Sequence, residues 1–380
     1  MGSLKRKRET QKEDEPELVQ KERSLSLPEC EWVRGRMLGK GGFGSVYLAS
    51  AKKPKLGSDG LPAIVAVKSG RVSESPVLLM ERTLLKIFGD CPFVIDCYGS
   101  DMTADAENKC TYNVFMEYAD GGTMRDLITK SGGCGLLEPQ VRKYTGCLLK
   151  GLQYIHVRGC VHCDLKPENI LLVSNSDGDF VPKIGDFGLA KFAVYKKKSR
   201  KEPACQGTAI YFSPEAVLYG NQEKPSDIWA LGCVVLEMLT GRCPWDLEAG
   251  ATLEDLQLLI ASKVPTVPGW LSEDAKDFLR KCFVRNPSER LEAAKLLNHP
   301  FVTKLDGLGE VKVEPLKKQV SAVPSSENCE KAEGSKPGDA EAILPLAVLY
   351  PGDSKPVILP TTVCPKPSNF AITGESFFMD

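Results

Sequence analysis

The run Gly39-Lys40-Gly41-Gly42-Phe43-Gly44-Ser45-Val46 has the spacing G-x-G-x-x-G-x-V. Residues without a β-carbon let backbone amides approach phosphate oxygens, so the chemistry on offer is the grip of a phosphorylated ligand. A plain glycine hairpin fits the same letters, as does a dinucleotide-binding loop. The latter opens a helix, however, whereas Ser45-Val46-Tyr47-Leu48 continues as a strand. About twenty residues on, Val65-Ala66-Val67-Lys68 alternates like a strand and ends in a lysine that can aim its ammonium at α- and β-phosphates. A carboxylate on the next helix should hold that lysine. Glu81 sits centrally in the apolar stripe of this helix, whereas Glu74 falls near its start and reads as solvated.

Further along come His162-Cys163-Asp164-Leu165-Lys166-Pro167-Glu168-Asn169, then Asp186-Phe187-Gly188, then Ser213-Pro214-Glu215. With the glycine run and Lys68 these make five ordered motifs, and together they resemble the eukaryotic protein kinase family. The resemblance covers residues 32 to 303, roughly seven tenths of the chain. It implies an α+β fold of two lobes, a small β-rich N-lobe and a larger, mainly α-helical C-lobe. It also implies transfer of the ATP γ-phosphoryl group to a protein hydroxyl with Mg²⁺ as cofactor.

By that resemblance Asp164 accepts the proton of the acceptor hydroxyl, and Lys166 neutralises the γ-phosphate during transfer. Asn169 and Asp186 supply oxygen ligands for Mg²⁺, and Lys68 with Glu81 completes the catalytic set. Leu38, Gly39, Lys40, Gly41, Gly42, Phe43, Gly44 and Ser45 form the flap over the nucleotide. Val46 and Ala66 cover the adenine, Leu171 lies beneath it and Met116 limits its depth. Backbone groups of Glu117 and Ala119 bond the ring edge. Lys166 also resembles the Ser/Thr-specific kinases, and Thr208 fits the position that touches the catalytic aspartate. Glu215 is expected to pair with Arg290 as a buried structural ion pair.

Departures from the pattern carry information too. Cys163 stands where the family usually has an arginine, which in other members pairs with a phosphate on the activation segment. Its loss implies that activity depends less on phosphorylation there. Ser213 replaces the usual alanine, a small change. Tyr195-Lys196-Lys197-Lys198-Ser199-Arg200-Lys201 holds five basic residues in seven; the plain reading is a solvated loop, and an acidic partner or an autophosphorylated form is the alternative. The His-Cys-Asp run, Trp32-Val33-Arg34-Gly35 and the stretch Asp227 to Met238 resemble the plant mitogen-activated protein kinase kinase kinases. That branch implies a downstream kinase kinase as protein substrate, in stress or hormone signalling, although Leu165-Lys166-Pro167-Glu168-Asn169 has a more general form. A catalytically weak pseudokinase scaffold is the alternative from another class, and retention of Lys68, Glu81, Asp164, Asn169 and Asp186 argues against it.

These residues need elements to position them. Periodicity predicts strands at Ser45–Leu48, Ile64–Lys68 and Cys110–Glu117, with a helix over Glu74–Phe88. Beyond Asp126 the pattern turns helical, with helices over Val141–Arg158 and Pro225–Thr240 and a third over Ser272–Phe283, where Ser272 suits an N-cap. The domains expected are a flexible charged leader (1–30), the kinase domain (31–303) and a Pro/Lys/Ser-rich tail (304–380), largely disordered, with apolar islands at Ala342–Leu349 and Phe377-Phe378.

Composition sets the outer limits. The chain has 380 residues, 42% hydrophobic and 26% charged, a globular balance with room for a large core. Lys plus Arg number 49 against 50 Asp plus Glu, so no global field draws it to nucleic acid or an anionic membrane. The 14 cysteines are scattered and no secretory signal precedes them, which reads as reduced thiols. Cys160 and Cys163 have C-x-x-C spacing but lack the second pair a zinc site needs. No apolar run is long enough for a transmembrane segment, and Arg6 breaks the myristoylation motif after Gly2. A cytoplasmic protein is expected. Lys5-Arg6-Lys7-Arg8 offers a nuclear import signal, though a solvated charge run is the commoner meaning of so short a cluster.

Overall fold

Strand periodicity explains the first lobe. β1 (Trp32–Gly41), β2 (Gly44–Ala51), β3 (Ile64–Arg71) and, beyond helix α1 (Ser75–Ile87), β4 (Cys97–Ala104) and β5 (Cys110–Met116) form one antiparallel sheet in the order β1-β2-β3-β5-β4. Successive side chains of a strand point to opposite faces. On β3, Val65 and Val67 therefore enter a small outer core with Ala49, Leu61 and Phe115, while Ala66 and Lys68 take the opposite face. This computed structural model describes residues 32–42, 44–52, 54, 61–71, 75–104, 110–193, 205–248 and 250–304. Phe43, Glu74, the Lys5–Arg8 cluster, the basic run 195–201, the expected leader and the expected tail beyond Lys304 lie outside those residues.

The second lobe is mainly helical. It comprises α2 (Met124–Lys130), α3 (Glu138–Val157), β6 (Cys160–Val161), β7 (Ile170–Ser174), β8 (Phe180–Ile184), β9 (Lys191–Phe192), α4 (Pro214–Tyr219), α5 (Lys224–Thr240), α6 (Leu253–Ser262), α7 (Glu273–Cys282), α8 (Ala293–Leu296) and α9 (Pro300–Thr303). Every residue of α5 from Ser226 to Thr240 is buried, as expected of a helix that is apolar all round and packs against α3 in the middle of the lobe. The fold is thus α+β, with the strand-rich part first in the chain.

Helix ends follow local chemistry. α3 begins three residues before the expected start because Pro139 suits the first turn, where its missing N–H has no intrahelical role. Ser272 Oγ accepts from the Ala275 N–H at 3.1 Å, the anticipated N-cap of α7. Lys304 Nζ, the first residue of the expected tail, pairs with Asp274 at 3.0 Å.

Two short hairpins place the chemistry. β6 pairs with β9, and β7 with β8, so residues 162–169 form a loop between β6 and β7, and Asp186 follows β8. Phe187 is fully buried, with ring centroids 5.3 Å from Phe88, the residue just past the end of α1, and 5.0 Å from His162, and so packs that end of the first lobe's helix onto the loop. Burial of one such ring contributes about 1.5–3 kcal/mol.

Candidate active site

The glycine run spans the end of β1 and the start of β2, with Gly41 opposite Gly44 and Lys40 opposite Ser45. Nothing lies within 4 Å of where a β-carbon would stand on Gly39 or Gly42, and one on Gly41 would meet the Gly44 carbonyl oxygen at an ordinary 3.9 Å, so the flap's backbone faces open space. Gly44 differs. Its φ is +145° and a β-carbon there would meet the Ser69 carbonyl oxygen at 2.5 Å, so only glycine lets β2 approach β3 this closely.

Lys68 is buried, and its Nζ donates to both oxygens of Glu81 at 2.9 and 2.7 Å and to Asp186 Oδ1 at 2.8 Å. Burial works against the ammonium, but the two carboxylates outweigh it and hold Lys68 above the ordinary lysine value. Burial would likewise raise Asp186, yet the Lys68 ammonium keeps it below the usual carboxylate range. Asp186 adopts a left-handed backbone with φ 57°, and 42% of its side chain stays accessible, so its carboxylate is not closed off by Lys68.

Asp164 is held on both oxygens. Oδ1 accepts from the Thr208 N–H at 2.9 Å, and Oδ2 accepts from Lys166 Nζ at 2.7 Å and Asn169 Nδ2 at 3.2 Å. Lys166 also donates to Thr208 Oγ1 at 2.7 Å, which ties the loop to the residue expected to touch it. Asn169 Nδ2 donates to the Asp164 carbonyl as well, at 2.8 Å, so its Oδ1 is left for another partner. The Asn169 carbonyl accepts from the Gly185 N–H at 2.9 Å, which brings Asp186 alongside. His162 completes the loop: Nε2 faces the Gly185 carbonyl at 3.0 Å, while Nδ1 accepts from the Asp164 N–H at 3.3 Å.

The expected adenine contacts gather at the edge of the sheet. Ala66 lies opposite both Leu48 and Met116, and Val46 opposite Lys68. Leu38, Val46 and Leu171 are half-buried, Met116 is buried, and Leu171 bridges to Thr123 just past Ala119. The Glu117 N–H already donates to the Asp96 carbonyl at 2.9 Å, and its side chain pairs with Lys183 at 2.7 Å. Of the Glu117 backbone, the carbonyl is therefore the group left for a ring edge.

The structural ion pair is present as expected: Arg290 meets Glu215 with two parallel bonds of 2.6 and 2.9 Å, both side chains buried. Three contributors were missed in the sequence. Asp227 accepts from the His162 and Cys163 N–H groups at 2.9 and 3.0 Å and pairs with His156 at 2.8 Å. Burial would raise its carboxyl, but these bonds outweigh it and hold Asp227 below the usual value. Arg125 joins Glu168, Tyr211 and Glu237, and Gln222 reaches the Cys163 carbonyl. An aspartate within the apolar run of α5 was the one available signal, since it needs buried partners; no local pattern marks the other two.

A flap, a lysine held by a helix carboxylate, and a carboxylate fixed beside an asparagine and a second aspartate are the parts of phosphoryl transfer. Residues 32–302 match the protein kinase domain family, and the chain belongs to that family. Among curated relatives it is 41% identical to mitogen-activated protein kinase kinase kinase 20 of Arabidopsis thaliana, over 72% of this chain and 78% of that protein. It is 40% identical to kinase kinase kinase 17 of the same plant (72% and 70% covered) and 38% to kinase kinase kinase 18 (71% and 77%). The chain is accordingly a Ser/Thr protein kinase using ATP and Mg²⁺. Among the described residues no helix is long and apolar enough to cross a membrane.

Proposed function

We propose that this kinase is a mitogen-activated protein kinase kinase kinase that phosphorylates Ser or Thr in a downstream kinase kinase. The likeness to three mitogen-activated protein kinase kinase kinases supports the place in the cascade. The observation that carries the catalysis is the fixing of Asp164 by Thr208 on one oxygen and Lys166 on the other. A carboxylate so oriented takes the proton of the acceptor hydroxyl and aims its oxygen in line with the γ-phosphorus. Lys166, already between Asp164 and Thr208, neutralises charge on the transferred group. Lys68 holds the α- and β-phosphates, with Glu81 setting its position.

Asn169 Oδ1 and the accessible carboxylate of Asp186 are hard oxygen donors and fit Mg²⁺. Held there, Mg²⁺ would supply the positive charge that offsets the charge of the phosphates. The flap Gly39–Ser45 covers the phosphates through backbone amides. Leu38, Val46 and Ala66 on one side and Leu171 on the other enclose the adenine, Met116 closes the back, and backbone groups of Glu117 and Ala119 bond its edge. The protein acts in the cytoplasm, with entry to the nucleus through Lys5–Arg8; a fluorescent fusion whose distribution ignores loss of those four residues would refute that entry.

The test is transfer from labelled ATP·Mg²⁺ to purified, catalytically inactive kinase kinases, with phosphosites mapped. Wild type labels Ser or Thr in the activation segment of at least one of them, and Asp164→Asn reduces the rate on the order of 10²–10⁴-fold. Equal labelling by both proteins defeats the catalytic reading. Labelling of a general acceptor with none on any kinase kinase defeats only the place in the cascade.

A further inference from the structure

Cys163 precedes the catalytic aspartate and has a left-handed backbone, φ 68°. This turns its two polar backbone groups outward to separate partners. The N–H donates to Asp227, and the carbonyl accepts from Gln222 Nε2 at 3.3 Å. The thiol itself offers no cation: burial and Asp227 push its pKa up, and the cation acting on it is Lys191, exposed on β9.

Gln222 is buried, and its amide is fully used. Nε2 donates to the Gln206 carbonyl at 2.9 Å as well as to Cys163, and Oε1 accepts from the Gln206 N–H at 3.4 Å. A neutral carboxamide, with two donors and an acceptor on one planar group, suits two carbonyls and an N–H together. Gln206 lies two residues before Thr208, whose N–H fixes Asp164. Between them stands Gly207 at φ +126°, where a β-carbon would be 3.0 Å from the Cys163 oxygen and 3.1 Å from Asp164 Oδ1. The two chain segments touch here, and Gln222 bonds both.

We infer that Gln222 is a positioning residue that fastens the substrate-facing end of the activation segment to the catalytic loop through its side-chain amide, without a phosphate. The inference rests on the kinase reading and adds what holds Asp164 against Thr208. The ring Asp164–Thr208–Gly207–Gln206–Gln222–Cys163 closes on uncharged groups apart from Asp164 itself. Loss of the amide frees Gln206, and the Thr208 N–H then drifts from Asp164 while the nucleotide-holding lysine, Lys68, is untouched.

The test uses the full chain after phosphatase treatment. Transfer to a fixed acceptor protein is measured for wild type, Gln222→Glu and Gln222→Met, together with affinity for a fluorescent ATP analogue and hydrogen exchange of the Gln206 and Thr208 amides. Wild type keeps its activity and protects both amides. Both variants lose on the order of 10-fold or more in kcat with nucleotide affinity unchanged, because misorientation of a catalytic group acts on the chemical step. Both variants also exchange those amides faster. In Gln222→Glu the deficit relative to wild type shrinks as pH falls, since a protonated carboxyl regains one donor. Variants matching wild type in kcat and exchange overturn the inference, as does wild type that loses its activity to phosphatase or leaves the two amides unprotected. The exchange of wild type needs no turnover and no variant. A wild-type chain with no transfer at all would fault the kinase reading, and exchange would still judge the clamp.

Discussion

Lys68 Nζ lies 2.8 Å from Asp186 Oδ1 while both of its bonds to Glu81 are intact, so one ammonium joins β3, α1 and the loop that follows β8. The first lobe is thereby tied to the second through a group that also has to meet phosphates. Glu81 is 1% accessible and Lys68 5%, which makes the pair costly to break from one side.

Replacing Lys68 by Met leaves a buried carboxylate without its cation. The expected loss is about 3–5 kcal/mol of folding stability, together with loss of transfer. A double variant, Lys68→Met with Glu81→Leu, removes both charges and should recover most of that stability while remaining inactive. Denaturant unfolding of the single and double variants, each beside a transfer assay, checks the separation. Recovery of activity in the double variant would show that Lys68 does not handle phosphate.

Much of this site is legible in the letters because its parts obey local rules. Lys68 follows from strand alternation, Glu81 from its place in the stripe of α1, and the flap from glycine spacing, where Gly44 has no room for a side chain. Asp164 and Asn169 sit five residues apart on one loop, so their meeting needs no long-range knowledge. Gln222 and Arg125 are different. Gln222 meets Cys163 across 59 residues, and Arg125 meets Tyr211 across 86, with nothing in their neighbours to mark them. Polar residues tied only by tertiary packing carry no period. The start of α3 was similarly obscured, since a proline inside the first turn reads as easily as a break.

Gly207→Ala probes how tightly the two segments at Asp164 fit. At φ +126° the added methyl carries backbone strain of about 1–3 kcal/mol, and it presses on both the Cys163 carbonyl and Asp164 Oδ1. Asp164 must then shift against Thr208, so kcat should fall on the order of 10²-fold while ATP affinity changes little. Steady-state kinetics with nucleotide binding measured separately is the check. A variant that weakens nucleotide binding as much as kcat would place the damage elsewhere.

The cluster around Glu237 sets a pH dependence of stability. Its neighbours are Arg125 at 2.8 Å, Tyr211, whose hydroxyl donates to it at 2.9 Å, and Glu168, which shares Arg125. Burial outweighs the guanidinium and raises Glu237 from an ordinary 4.5 to about 7. Between those two values the folded protein holds a proton that the unfolded chain has released. Stability from this group therefore falls as pH rises through that window, with a slope of up to about 1.4 kcal/mol per pH unit, and levels off above the folded value. Glu237→Gln keeps the size and removes the titration. Unfolding of wild type and variant measured from pH 5 to 8 should show the variant gaining relative to wild type as pH rises; parallel curves would mean that Glu237 stays ionised across the range, with Arg125 outweighing burial.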